Sequence, residues 1–488
     1  MTDNPREDKK GKKRKKMRKY RKIGYSFASV YGVAAVILLT FCVKLGMLPM
    51  VYLAALGIVL VLLGGLFVIM QRRKTWSVVA DVLCVFLAVG CIAACFFIDK
   101  ADATVRQVAA RGAETDEIGV YVLAEDPALE LADAADYRFG MAEAVDRDNT
   151  VAVVADIEEE LGKELNLSEY GDMFKLLDAL QAKEIGAVIL KSTYVPVAAE
   201  AGNYAWVTDG LRKIASYTHE AEQQAEAEPS EDEDTFVMYL SGIDTYGDIS
   251  ARSRSDVNIL AVVNTKTKNI LLLSTPRDYY VSYSQTGGAK DKLTHAGIYG
   301  VNASIDALEQ LYGVDVNYYL RVNFTGFTQI IDALGGVEVY SQYDFTAGGK
   351  DFYQGYNEVN GTEALSFSRE RYSFEDGDFQ RGRNQMEVIR AVIKKAASSA
   401  LLANYTDVMN AVSGSFETNM PQDEIAALVK MQLSDMASWN VTSYTATGQV
   451  SNQETYSAPG QLLSVVIPDE ASVEEAKKMI HDIFNDGM

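Results

Sequence analysis

Residues 257–278 read VNILAVVNTKTKNILLLSTPRD. Val257–Val263 and Ile270–Leu273 are apolar, β-rich runs on either side of the polar segment Asn264–Asn269, which is a strand, turn, strand signal. The second run leads straight into Ser274-Thr275-Pro276-Arg277-Asp278, so an arginine and a carboxylate stand at a strand end. In α/β folds, strand ends are where side chains converge on a site. Just upstream, Arg252-Ser253-Arg254-Ser255-Asp256 feeds the first strand, and Ser241-Gly242-Ile243-Asp244 closes a further strand, Phe236–Leu240. Two carboxylates in one cleft repel each other unless a cation or proton sits between them. Asp244 and Asp256 therefore point to a hard divalent ion held by few protein ligands, with water and substrate oxygens completing its shell, which is magnesium's habit at phosphate sites.

A second cluster lies about a hundred residues on: Arg369-Glu370-Arg371, then Asp376-Gly377-Asp378-Phe379-Gln380-Arg381-Gly382-Arg383-Asn384-Gln385. Guanidinium forks match phosphate oxygens bidentately and stay charged when partly buried. Alone, these arginines are equally a solvated face paired with Glu370, Glu375, Asp376 and Asp378. Beside Asp244 and Asp256 they become what a pyrophosphate site needs. Between the clusters, Val301–Leu311 and Phe324–Leu334 carry apolar residues at helical spacing, Gly335-Gly336 stops the second helix, and Val337–Tyr340 returns to strand. Arg383–Ala397 is a further helix with Met386, Val388, Ile389, Val392 and Ile393 as its apolar stripe. The last 90 or so residues alternate helix-like and strand-like runs and are expected to complete the same domain, 235–488.

Ahead of this domain, the stretch 220–234 is acidic and aperiodic and reads as a linker. Residues 101–219 alternate strand-like runs (Ile118–Leu123, Val151–Ala155, Ile185–Leu190) with helix-like stretches such as Met173–Ala182, which predicts a small α/β accessory domain. That module shows no chemical constellation in sequence and reads as a spacer or partner-contact unit. Before it, Gly24–Gly46, Leu48–Met70 and Trp76–Ile98 are three apolar runs, each at about the 20 residues a membrane-spanning helix needs. Residues 1–23 hold 12 Lys/Arg against 3 Asp/Glu, whereas the whole chain carries −21. With Arg72, Arg73 and Lys74 in the second turn, the positive-inside rule puts the tail and that turn in the cytoplasm and everything after the third helix outside. The tail's expected partner is the anionic inner leaflet, not nucleic acid.

All four cysteines lie in the apolar runs, so the remainder has no disulfide framework and no thiol nucleophile. The three histidines are not at zinc-ligand spacing, and neither a Walker-type phosphate loop nor a GxSxG elbow is present. His295, in Lys292-Leu293-Thr294-His295-Ala296, reads as a hydrogen-bonded structural residue.

Taken together, Gly242-Ile243-Asp244, Arg254-Ser255-Asp256, Leu273–Asp278, Lys292–Ala296 and Gly377-Asp378-Phe379-Gln380-Arg381 resemble the LytR-CpsA-Psr family in order and spacing, over about Thr235 to Ser399. The three-helix anchor and the extra α/β module are similar to its capsule-associated branch. The resemblance implies a membrane-anchored α/β protein whose larger domain has a central mixed sheet flanked by helices. It implies a phosphotransferase that moves a polyprenyl-pyrophosphate-linked glycopolymer (capsular polysaccharide, teichoic acid or similar) onto peptidoglycan through a phosphodiester, with Mg2+ as cofactor. By the same resemblance Asp244 and Asp256 bind magnesium, Arg277 stabilises the phosphate in transfer, and Arg254, Arg369, Arg371, Arg381 and Gln385 hold the pyrophosphate. The general base stays open among Asp244, Asp256 and Asp278. Two positions depart from the family pattern: Asn384, where an arginine is usual and Arg383 stands adjacent, and Gln380, where glycine is usual. The lipid tail needs an apolar groove, expected from Val301–Leu311 and Tyr318–Leu334. Two other readings of the same residues are a non-catalytic membrane-tethered binder of anionic glycans or lipid head groups, and a membrane-bound regulator. The basic tail is the sole sequence support for the latter.

Overall fold

The computed structural model describes residues 5–109, 114–221, 230, 232, 234–243, 249–375, 377–398, 407–408, 411, 414 and 416–486. Most of the acidic linker, Asp244 and Asp376 lie outside these described residues. The chain forms two compact units, one of Met1–Ala109 with Met420–Ala437, the other of Ala110–Asn419 with Ser438–Met488.

The first unit is helical: Pro5–Leu45, Met50–Met70 and Lys74–Ala109. Within it Arg18–Leu45, Met50–Met70 and Lys74–Arg106 are long and apolar enough to cross a membrane. The basic N-terminal segment continues the first of these helices. Tyr31 ties the first two helices together, its ring edge-on to Phe67 at 5.3 Å and its hydroxyl donating to the Leu60 carbonyl at 3.0 Å. Large apolar side chains such as Phe86 and Phe96 face outward, as suits a lipid surround. The four cysteines are buried and unpaired. The helix Gln422–Asp435 belongs to this unit, held by Gln422 donating to Asp102 at 2.8 Å and by Ala426 packing with Val105 and Met47. It lies in the stretch that sequence periodicity assigned to the larger domain.

The second unit holds two principal sheets. The accessory sheet has the order Asn166–Tyr170, Arg138–Ala142, Ala187–Lys191, Thr115–Leu123, Leu211–Glu220. The expected strands at Ile118–Leu123 and Ile185–Leu190 are its two most buried. Val151–Ala155 is not a strand but the middle of the helix Arg147–Leu161. A five-residue apolar run fits either period, and here Thr150, Val153 and Ile157 supply the buried helical stripe while Gly162, at φ 65°, ends the helix. The inner strand Arg138–Ala142 gave no sequence signal because it is only five residues long, and the edge strand Asn166–Tyr170 gave none because it is polar and half exposed.

The larger sheet is mixed, with six strands in the order Phe416–Thr418, Tyr318–Asn323, Thr235–Ile243, Ser255–Asn264, Asn269–Ser274, Asn440–Thr445. The hairpin anticipated in 257–273 sits at its centre, antiparallel, with Asn264 paired to Asn269 across the turn. Alternation along these strands splits their side chains between two cores. Val237, Tyr239, Leu260, Val262, Leu271 and Leu273 pack beneath the helices Val301–Tyr312 and Glu470–Asn485. Ile259, Ala261, Ile270 and Leu272 pack under Met386, Ile389 and Ile393 of the helix Asp378–Ala396. The helix Val301–Tyr312 spends its apolar face, Ala303, Ala307 and Leu308, on that core rather than on an open groove.

Candidate functional site

The site forms where the central strands end. Strand Asn269–Ser274 runs into Thr275–Asp278, and the Thr275 amide donates to Asn258 O at 2.9 Å, fixing the turn to the neighbouring strand. The Thr294 amide donates to the Arg277 carbonyl at 2.8 Å, so Lys292–Ala296 lies directly against this turn. Gly297 makes the approach possible, since a Cβ there would stand 2.5 Å from the Ser253 carbonyl. Gly382 does the same for the second cluster: a Cβ there would meet Ser274 Oγ at 2.8 Å, so the N-terminal half of Asp378–Ala396 comes down on the strand end.

Arg277 stands at the centre. Its Nη1 lies 2.9 Å from Asp256 Oδ1 and its Nε 3.6 Å from Asp278 Oδ2, with all three side chains largely buried. Thr294 Oγ1 donates to the same Asp256 oxygen at 3.2 Å. Burial alone would lower the Arg277 pKa, but Asp256, Asp278, Asp378 and Glu200 outweigh it and hold the guanidinium firmly charged. Asp378 belongs to the second sequence cluster, so the two clusters meet here. Arg371 Nη1 and Arg381 Nη1 flank it at 3.6 and 3.4 Å. The Arg381 pKa is lowered by burial first and then, against the pull of Asp378, by repulsion from Arg277 and Arg371. Three guanidinium groups that repel one another in a partly desolvated place are an arrangement that an anion relieves. Arg277 Nε, Asp278 Oδ1 and Asp378 Oδ1 are buried and make no well-aligned hydrogen bond, and each faces an opposite charge at 3.3–3.6 Å.

The other expected residues are spread around this centre. Arg254 is drawn to Glu200, Nη1 to Oε1 at 2.7 Å. Arg369 ends the helix Gly361–Arg369 with its guanidinium 4.3 Å over the Phe324 ring. Gln385 lies one turn beyond Arg381 on the same helix, half-buried. Asp244 lies outside the described residues. Gln380 and Asn384, the two departures from the family pattern, are buried and bonded to each other at 2.9 Å. Arg383 Nε donates to Gln380 at 2.7 Å and Asn384 donates to the Phe367 carbonyl at 3.2 Å, so this trio braces the helix from within. Among the described residues no group of three or more His, Cys, Asp or Glu is placed to hold a metal. A cleft of about 600 Å³ lies along the far half of this helix, lined by Asp332, Glu338, Glu358, Glu363 and Lys394. Lys394 lies thirteen positions after Arg381, roughly 20 Å along the helix, and these walls suit neither the pyrophosphate chemistry nor a lipid tail.

Sequence reasoning missed Lys292, Asp291 and above all Glu200. Lys292 Nζ bridges Glu200 Oε2 at 2.7 Å and Asp278 Oδ1 at 3.3 Å. His295 is fully buried, its Nδ1 2.8 Å from Asp291 Oδ1 and its Nε2 3.6 Å from Glu200. Asp291 is braced in turn by Tyr283 and Ser457. Burial disfavours the imidazolium, but Asp291 and Glu200 overcome it and push the His295 pKa up to about 9. With the folded value above the unfolded value of 6.5, protonation stabilises the fold. That contribution is complete below about pH 6.5 and is lost as pH rises through about 9. The melting midpoint of the wild-type chain is therefore expected to fall between pH 6.5 and 9.5, and the fall should be smaller in His295→Gln. Equal slopes in thermal denaturation of the two would refute the assignment.

A mixed α/β domain with convergent arginines and carboxylates at its strand ends defines a phosphate-handling protein of the class the sequence motifs suggested. The LytR_cpsA_psr family model matches residues 205–478. The chain belongs to the LytR-CpsA-Psr family. It is 35% identical over 223 residues to the polyisoprenyl-teichoic acid–peptidoglycan teichoic acid transferase TagU of Bacillus cereus, covering 46% of this chain and 72% of the relative. It is 31% identical over 249 residues to the like-named TagU of Enterococcus faecalis, covering 50% of this chain and 82% of the relative. Among solved structures it is similar to B. subtilis TagV at 26% identity and a TM-score of 0.44, covering 52% of this chain and 98% of that one.

Proposed function

We propose that this protein transfers a polyprenyl-pyrophosphate-linked glycopolymer to peptidoglycan, and that Arg277 with its surrounding arginines is the centre of that reaction. The observation carrying the reading is the convergence of Arg277, Arg371 and Arg381 on one strand end, close enough to repel one another, with Asp378 beside them. An acceptor hydroxyl oxygen attacks the phosphorus that bears the glycan. The new P–O bond forms as the pyrophosphate bridge bond breaks, the electron pair leaves on polyprenyl phosphate, and the hydroxyl proton passes to a carboxylate. Asp256 and Asp278 both stand beside Arg277, and the base stays open among these two and Asp244. Such transfer needs little covalent chemistry from the protein. It needs positioning and neutralisation of spreading charge, which the arginines supply. The names of the TagU relatives support both donor and acceptor class.

Magnesium is part of the proposal. Asp256 is a largely buried carboxylate 2.9 Å from Arg277, and a single such ligand suits an ion that keeps most of its water. Asp244 is the proposed second ligand. A bound ion would neutralise charge on the pyrophosphate oxygens. The proposed orientation places residues 1–23 in the cytoplasm and the domain after the third helix outside, facing the wall. The test uses the full chain in liposomes with a synthetic polyprenyl-pyrophosphate-linked disaccharide and uncross-linked peptidoglycan. Polyprenyl phosphate release is expected with magnesium chloride and loss of at least tenfold of that rate with EDTA. Equal rates would remove the metal from the proposal, and binding of donor without any release would favour a non-catalytic binder.

A further inference from the structure

We propose that Glu200, carried by the accessory module, is a positioning residue of the transfer site, fixing Arg254 and Lys292 for the donor's pyrophosphate. The inference rests on the transferase reading of that site and deepens it. Glu200 is the last residue of the short helix Tyr194–Glu200, more than thirty residues before the first strand of the larger sheet. Its Oε1 takes Arg254 at 2.7 Å, and its Oε2 takes Lys292 at 2.7 Å with His295 at 3.6 Å. Burial would raise its pKa, but His295 and Lys292 together hold it well below the usual carboxylate range.

These contacts form one alternating line of charge: Asp291, His295, Glu200, Lys292, Asp278, Arg277, Asp256. Glu200 is its third member, and Arg254 branches from it. Without it, Arg254 loses its described carboxylate, and Lys292, whose side chain is only 5% exposed, keeps Asp278 alone.

The helix that carries Glu200 is built in rather than hinged. Val197 and Ala198 are fully buried in an apolar cluster shared with Ile298, Ala458 and Leu463 of the larger domain. Tyr194 shares a hydrogen bond with Tyr299 at 3.0 Å, and Lys191 Nζ donates to the Ile298 carbonyl at 3.2 Å. A carboxylate held this rigidly does not act as a swinging plug. It spends one guanidinium nitrogen of Arg254 and leaves the plane of the fork oriented, which is how a second carboxylate preorganises a phosphate ligand.

The test is steady-state kinetics of the full chain in liposomes, with the synthetic polyprenyl-pyrophosphate-linked disaccharide as donor and uncross-linked peptidoglycan as acceptor. Glu200→Gln is expected to raise the donor KM about tenfold, the worth of one charge-assisted hydrogen bond, with kcat within about threefold. In an Arg254→Ala background the same substitution should raise KM by clearly less than it does alone, because only the part that runs through Lys292 remains. Glu200→Asp keeps the charge but withdraws it by one methylene, and an intermediate KM is expected. It also serves if Glu200→Gln does not fold. A donor KM that is unchanged or lowered in Glu200→Gln or Glu200→Asp overturns the proposal, as do fully multiplicative effects in the double variant. If the wild-type chain itself transfers nothing, the transferase reading fails and this inference with it. If the wild type transfers and Glu200→Gln matches it, only the inference fails.

Discussion

Arg277→Ala is expected to lower the transfer rate by roughly 10³–10⁵, the range set by arginines that meet developing charge in phosphoryl transfer. The donor KM should change only a few-fold, because Arg371 and Arg381 remain beside Asp378 to hold the ground state. The size of the effect follows from position. Arg277 lies between Asp256 and Asp278 and is the cation on which both carboxylates act. Arg277→Lys keeps a charge but loses the planar fork and should recover only a small part of the loss. Single substitutions at Arg371 or Arg381 should cost less in rate, since each shares Asp378 with the other. A loss at Arg277 no larger than at Arg371 would show that the transferring phosphate lies elsewhere.

The second large effect concerns stability. Arg321→Ala is expected to destabilise the second unit by about 3–5 kcal/mol, the cost of removing the shared cation from a buried ion-pair network. Arg321 side chain is 3% exposed and joins Glu114 at 2.6 Å and Glu417 at 2.6 Å, themselves 1% and 6% exposed. It also donates to the Ile249 carbonyl at 2.7 Å. Glu114 retains Arg252 at 3.0 Å, while Glu417 loses the guanidinium it meets at 2.6 Å. A fall in melting midpoint on the order of 10 °C should follow. The exposed pair Arg147–Glu169 offers the contrast: Arg147→Ala should leave the melting midpoint nearly unchanged. Comparable melting curves for the two variants would contradict the account of this buried network.

The parts of the fold that were legible are those where period and length agree. The apolar runs flanking Asn264–Asn269 could only be a hairpin, and three long apolar runs could only be long buried or spanning helices. Val151–Ala155 was misread because five apolar residues satisfy both periods, and the deciding residues, Thr150 and Ile157, lie outside the run. The helix Gln422–Asp435 looks in sequence like any amphipathic helix, and its partners, Asp102 and Val105, stand more than 300 residues away.

The site divides in the same way. Arg277 and Asp256 were visible because strand ends gather chemistry, and the structure brings them within 2.9 Å. Arg371 and Arg381 were ambiguous as a surface run until Asp378 proved close enough to act on Arg277. Glu200 was invisible: a lone carboxylate at the end of Tyr-Val-Pro-Val-Ala-Ala-Glu carries no spacing signal, and its meaning comes only from Arg254 and Lys292 folding against it. The exchange of arginine for Asn384 also made sense only in three dimensions, where that position is buried and bonded to the Phe367 carbonyl.

The central claim, a phosphodiester built at Arg277, is tested most directly by mass spectrometry of the product. The full chain in liposomes, supplied with the polyprenyl-pyrophosphate-linked disaccharide and peptidoglycan, is followed by muramidase digestion. The account predicts muropeptides carrying the disaccharide through a single phosphate, with an equal amount of polyprenyl monophosphate released, and neither product from Arg277→Ala. Disaccharide attached without phosphate, release of polyprenyl pyrophosphate, or an undiminished product from Arg277→Ala would contradict it.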